Sequence, residues 1–162
     1  MSDIPRSRVA QALGVAPDAL PPGDLPMDRF AARYLDFLRA TFETEAFDAH
    51  PDYWTDLLLA RLMEEAPDTA LEAICAVLAR VEDVEELELV AAGPLEELLT
   101  AQGAALLDAL DGRAAQSPRF RLALAALWRE GGGPPLLVAR VRAVAADPAM
   151  LETDDLPGPE GL

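Results

Sequence analysis

His50 is the only histidine in the chain, and it stands directly before Pro51-Asp52-Tyr53-Trp54. An imidazole beside a carboxylate and two aromatic rings suits acid–base chemistry or a small-ligand pocket. Catalysis needs a nucleophile or a second acid/base aimed at the same atom, and no such pairing is visible along the sequence. A zinc site would need carboxylates for its other ligands, because Cys75, the single cysteine, falls on an apolar helical stripe. His50 therefore reads as a turn histidine bonded to backbone, and Cys75 as a small core residue. A ligand-binding or enzymatic use of His50, Tyr53 and Trp54 is the alternative.

The acidic run Glu82-Asp83-Val84-Glu85-Glu86-Leu87-Glu88 offers oxygens of the kind a hard cation takes. Neighbouring carboxylates on a helix point in different directions, so the run reads as a solvated helix start favoured by the helix dipole. Glu96 and Glu97 sit in the same way in the first turn after Pro94. Gly131-Gly132-Gly133 follows a helix and runs into Pro134-Pro135, with no lysine, so it is not a phosphate-binding loop. No cofactor is expected, and no catalytic or metal-ligating residue is assigned.

Arg113, Arg119, Arg121, Arg129, Arg140 and Arg142 cluster in the last third of the chain. Arg119 and Arg121 are two apart and cannot share a helical face, which argues against one tight anion pocket. Arg119, Arg121 and Arg129 are expected to dock an acidic partner segment or the chain's own acidic end. Glu85, Glu86, Glu96 and Glu97 are the expected acidic contacts for a basic partner.

Helical periodicity accounts for the elements that carry these groups. A short pattern runs from Ile4 to Gly14 and resembles the opening of a helix-turn-helix, but Pro21-Pro22-Gly23-Asp24-Leu25-Pro26 follows where a DNA-reading helix would have to be. Residues 1–26 are thus expected as a peripheral helix on a proline-rich tether. Met27, Phe30, Tyr34, Phe37, Leu38 and Phe42 mark a helix ending near Phe47; Trp54, Leu57, Leu58 and Leu62 mark the next, ending at Ala66-Pro67. Asp68 is expected to cap a third, with Leu71, Ile74, Cys75 and Leu78 inward, and a short fourth runs from Val84 to Gly93. Gly93-Pro94 is expected to end that helix in a left-handed cap and start a helical hairpin. Ser117-Pro118 is expected as N-cap and first residue of a helix reaching Gly131, and a last helix ends near Ala146. The architecture expected is all-α: one domain, 27–146, of antiparallel helical hairpins, HEAT-like or an irregular helical bundle, followed by an acidic disordered tail, 147–162.

Charge narrows the function classes further. The formal net charge is −16, and all 13 basic residues are Arg, with no Lys or Asn, which reads as codon usage of a GC-rich bacterial genome. Residues 1–112 hold 23 acids against seven Arg, 113–146 hold six Arg against Glu130, and 147–162 hold five acids and no base. That sign disfavours DNA, RNA and anionic membranes as direct partners. No apolar run reaches the ~18–20 residues of a membrane span, no signal segment opens the chain, and one cysteine makes no internal disulfide. A cytoplasmic setting is the expectation.

One set of residues carries a family resemblance. Ala92-Gly93-Pro94-Leu95-Glu96-Glu97-Leu98-Leu99, then Pro118-Arg119-Phe120-Arg121 and Leu127-Trp128, is similar to the signature of an uncharacterised bacterial all-helical domain of unknown function. The resemblance extends from about Tyr53 to Trp128. It implies a helical fold and carries no activity with it. Thr100-Ala101-Gln102 departs from the pattern, standing where a basic or His-containing tripeptide is expected.

The expectation from sequence is a non-enzymatic protein–protein interaction module whose acidic surface binds a basic partner. Its specific form would be antitoxin- or immunity-like, or a nucleic-acid mimic. The alternative is an enzyme or small-ligand-binding helical domain built around His50, Tyr53 and Trp54.

Overall fold

The computed structural model describes residues 3–162, and among them the fold is all-helical. The chain groups into two compact units that divide after Val77, inside a helix.

In the first unit, Ile4 N–H donates to Leu25 O at 2.8 Å and Leu25 N–H to Ile4 O at 2.9 Å. This single antiparallel bridge brackets α1 (Arg6–Leu13), and Gly14 closes the helix at φ 65°, a left-handed position that suits glycine. Ile4 is fully buried and α1 packs on α3, so the opening helix is anchored in the core through Ile4, Val9 and Ala10, while 11–26 runs along the surface and is tied at its end by the Ile4–Leu25 bridge. Burial of those three apolar residues is what ties the helix down.

Helix α2 (Met27–Thr41) buries Met27, Phe30, Ala31, Tyr34, Leu35 and Phe37 and leaves Asp28, Arg29, Asp36 and Arg39 exposed, as its periodicity requires. It stops at Thr41, not near Phe47. The Thr41 hydroxyl donates back to Phe37 O at 2.7 Å, a bond that competes with helix continuation. Phe42, expected in the core stripe, is 59% exposed. Helix α3 (Tyr53–Glu65) follows, burying Leu58, Leu59 and Leu62, and ends at Ala66 because the residue before Pro67 resists helical dihedrals. Helix α4 (Pro67–Arg80) begins on Pro67, so Asp68 lies in its first turn and is not the cap. Cys75 is buried on this helix and in no disulfide.

In the second unit, α5 (Val84–Val90) runs through a π turn, Ala91–Leu95, straight into α6 (Glu96–Gln102). Gly93 takes φ −95°, ψ −106°, a kink and not the left-handed cap expected. The missing N–H of Pro94 leaves one carbonyl without its helical donor, and the wider π turn absorbs the mismatch. After a 3₁₀ turn come α7 (Leu107–Gln116) and α8 (Pro118–Ala125). Ser117 caps α8 as the sequence indicates, its Oγ accepting from Phe120 N–H at 3.1 Å. α8 ends at Ala125, well before the expected Gly131, and α9 (Pro135–Val144) follows the glycines. Leu87, Leu95, Leu98, Leu99, Phe120 and Leu122 are fully buried in this unit.

Residues 147–162 do not form the disordered tail expected. Asp147 Oδ1 accepts from Ala149 N–H at 2.9 Å to open a 3₁₀ turn, Pro148–Glu152, and Leu151 is buried. Its composition hides two anchors, Leu151 and an acceptor at Pro157.

Candidate functional site

Arg119 decides how the basic segment is read. Ser117-Pro118 starts α8 so that Arg119 occupies its first turn facing inward, and the residue is only 6% exposed. Its Nη1 donates to the carbonyls of Leu78, Ala79 and Val81 at 3.0, 3.1 and 3.3 Å, the unpaired oxygens at the C-terminal end of α4. Its Nε donates to Pro157 O at 2.6 Å. Burial lowers the guanidinium pKa below the ordinary arginine value, and the Glu160 carboxylate opposes that shift. One buried cation therefore caps a helix and anchors the C-terminal stretch, and no surface remains with which it could dock a partner.

Arg121 and Arg129 go elsewhere. Arg121 Nε donates to Val144 O at 3.2 Å, the last carbonyl of α9, where a cation also complements the helix dipole. Arg129 pairs with Glu88 at 2.6 Å, and Arg140 with Asp111. The segment expected to meet an acidic partner thus meets this chain's own carbonyls and carboxylates. Arg119 meets the chain's own C-terminal stretch, one of the two options expected for these residues, while Arg121 and Arg129 turn to Val144 O and Glu88 and not to one shared surface.

The expected acidic contacts divide in two. Glu86 N–H donates to Asp83 Oδ1 at 2.8 Å while Glu86 Oε2 accepts from Glu82 N–H at 2.9 Å, a reciprocal cap of α5. Glu96 reaches out of its helix to accept from Trp128 N–H at 2.7 Å. Glu85 and Glu97 stay exposed. Among the described residues no group of three or more His, Cys, Asp or Glu gathers to hold a metal.

Trp128 is buried and left-handed at φ 49°, a conformation that costs a bulky residue about 1–3 kcal/mol. Two bonds hold it there: Glu96 on its amide and Thr100 Oγ1 accepting from the indole N–H at 3.2 Å. Glu96→Ala is expected to destabilise the protein by about 2 kcal/mol by leaving a half-buried amide unpaired. Urea denaturation of the two proteins measures it, and Glu96→Gln is expected to recover most of the loss.

His50, Tyr53 and Trp54 do not converge on one point. His50 Nδ1 accepts from Asp52 N–H at 3.1 Å, so the neutral ring carries its proton on Nε2, and its ring stands edge-on to Phe37. Tyr53 lies against Phe37 and Phe47, with centroids at 6.2 and 5.7 Å. Trp54 faces a separate cleft of about 430 Å³, lined on its other sides by α1, the 20–26 connection and α2.

A further surface was not read from the sequence. Between α2 and α3, Phe42 and Phe47 are 59% and 42% exposed, and Leu57, one turn beyond Tyr53 on α3, is 39% exposed. Glu43, Glu45 and Asp48 are interleaved with the two phenylalanines, exposed, and without an ion pair among the described residues. The alternation Phe42-Glu43-Thr44-Glu45-Ala46-Phe47-Asp48 was the available signal. It lies where apolar periodicity predicts helix to near Phe47, and the structure ends that helix at Thr41.

A model of a family of unknown function (DUF6869) matches residues 43–149, well over half of the chain. The chain belongs to that family. No curated protein and no solved structure matches it. The matched region holds the Trp128–Glu96 contact, the Arg119 clamp on α4 and most of the acidic–aromatic edge. The cleft beside Trp54 is built mainly from residues before it.

Proposed function

We propose that the protein is a non-enzymatic interaction module that receives a basic protein partner on an acidic surface. The observation that carries this reading is the exposure of Phe42 and Phe47, with Glu43, Glu45 and Asp48 between and beside them in sequence, next to α3, where Tyr53 touches Phe47 and Leu57, one turn on, is exposed. Exposed aromatic and aliphatic side chains supply the desolvated anchors of an interface, and a charged rim selects the partner's sign and speeds encounter. The engagement of six of the 13 arginines within the chain adds support. Arg8, Arg61, Arg119, Arg121, Arg129 and Arg140 serve the chain's own carboxylates and carbonyls, so the net charge of −16 is left to the surface. Neutralising a basic toxin or occupying a nucleic-acid cleft is the specific form this would take.

Affinity capture of a tagged copy from its host at low salt, with mass spectrometry, tests the proposal. One stoichiometric basic protein is expected, and Phe47→Ala is expected to reduce its recovery at least tenfold, as for an interface anchor. Recovery of nothing, or of a partner indifferent to Phe47→Ala, would sink it.

A further inference from the structure

We propose that the cleft beside Trp54 binds a small amphipathic monocarboxylate, an acyl or aryl acid whose apolar body lies on Leu13, Leu20 and Trp54 and whose carboxylate meets Arg29 and Arg33. At about 430 Å³ the cleft is within the range of small-ligand sites, about 300–1,000 Å³. Val9, Leu13, Leu20 and Leu25 line its apolar part. Arg29 and Arg33 are four residues apart on α2, so their guanidinium groups rise from one face.

Those donors are largely free to meet a ligand. The Arg29 side chain has no hydrogen bond or ion pair among the described residues, and Arg33 makes only a long ion pair with Asp52, at 3.8 Å, with no hydrogen bond. The Trp54 indole N–H likewise has no acceptor among the described residues. The cleft wall holds a third cation. Arg6 Nη2 donates to Leu20 O at 2.6 Å and Arg6 N–H to Asp24 Oδ1 at 2.9 Å, yet its Nε–H, shielded from solvent, finds no acceptor. A buried donor without a partner asks for one, and a small shift towards a bound carboxylate supplies it.

Charge selects the ligand class. Arg6, Arg29 and Arg33 line the cleft against Asp24 and Asp52, an excess of one positive charge in a chain of net −16. One excess cation suits a monoanion, whereas a phosphate dianion would leave negative charge uncompensated between two aspartates. The apolar lining demands that the anion carry a hydrophobic body. This site is independent of the partner-binding edge proposed above.

The test is titration of the full chain with octanoate, octyl phosphate and 1-octanol, read by calorimetry and by tryptophan fluorescence, with Trp128 as an unchanging background. Octanoate is expected to bind saturably at one site and shift the Trp54 emission. Octanol and octyl phosphate are each expected to bind at least tenfold more weakly. Arg29→Gln/Arg33→Gln is expected to lose at least tenfold for octanoate and little for octanol, with an unchanged circular dichroism spectrum because both residues are exposed. Arg29→Lys/Arg33→Lys, which keeps the charge, is expected to bind in between. No saturable octanoate binding, equal binding of octanol, or indifference to the Gln pair would overturn the site. Tighter binding of octyl phosphate would overturn the carboxylate assignment.

Discussion

Arg119→Ala is expected to lower the stability of the protein by about 3 kcal/mol and to expose the last residues of the chain to proteolysis. The size follows from what the guanidinium does. Hydrogen bonds from a charged group contribute about 1.5–3 kcal/mol, and donors lost from buried carbonyls leave a desolvation penalty behind. Arg119 serves three carbonyls at the end of α4 and a fourth at Pro157, and these do not add independently because one side chain makes them all. Arg119→Lys is expected to recover little, since a single ammonium cannot span both the α4 end and Pro157. Burial lowers the Arg119 pKa, but an arginine remains charged throughout the neutral range, so the loss should not vary with pH there. Arg121→Gln, which removes one exposed bond to Val144 O, is the control and should cost under about 1 kcal/mol. Urea denaturation and limited proteolysis with mapping of the cut sites measure both effects. A stable Arg119→Ala protein with an intact C-terminal end would show that the clamp is not what holds 147–162.

The second large effect concerns binding. Glu43→Arg, Glu45→Arg and Asp48→Arg together are expected to weaken the captured basic partner about 100-fold. Exposed ion pairs contribute up to about 1 kcal/mol each, so three reversals approach about 3 kcal/mol, and every 1.4 kcal/mol is about tenfold in affinity. The same change should slow association more than it speeds dissociation, because rim charges act mainly on encounter. All three residues are exposed and make no ion pair among the described residues, so the fold should tolerate the reversal.

Local signals carried much of the fold. Ser117-Pro118 marks the start of α8, Gly14 the end of α1 and Pro67 the boundary of α3, because each acts on backbone dihedrals within a residue or two. Where distant groups decided the outcome, periodicity misled. Gly93-Pro94 carries the composition of a helix break, but continuous burial of Val90, Ala91, Leu95 and Leu98 keeps the chain helical through a π turn. Residues 147–162 look disordered by composition, and only the position of Arg119 in three dimensions shows what holds them. The candidate sites depended even more on tertiary partners. Arg119 and Glu96 are charged and were read as surface, while their acceptor and donor lie 38 and 32 residues away. Glu85 and Glu97 did remain exposed. The acidic–aromatic edge escapes for the opposite reason: Phe42 fits the α2 stripe, and that periodicity outweighs the weaker local signals, the Thr41 hydroxyl and the acidic–aromatic run 42–48, that go with the end of the helix.

The most direct test of an acidic partner-binding edge is the salt dependence of the partner's Kd for the wild-type chain and the triple charge reversal, measured side by side. Wild-type affinity is expected to fall steeply as salt screens the surface charges, and the reversed variant is expected to bind weakly with a flat or inverted slope. Equal affinities and parallel slopes for the two proteins would contradict the proposal.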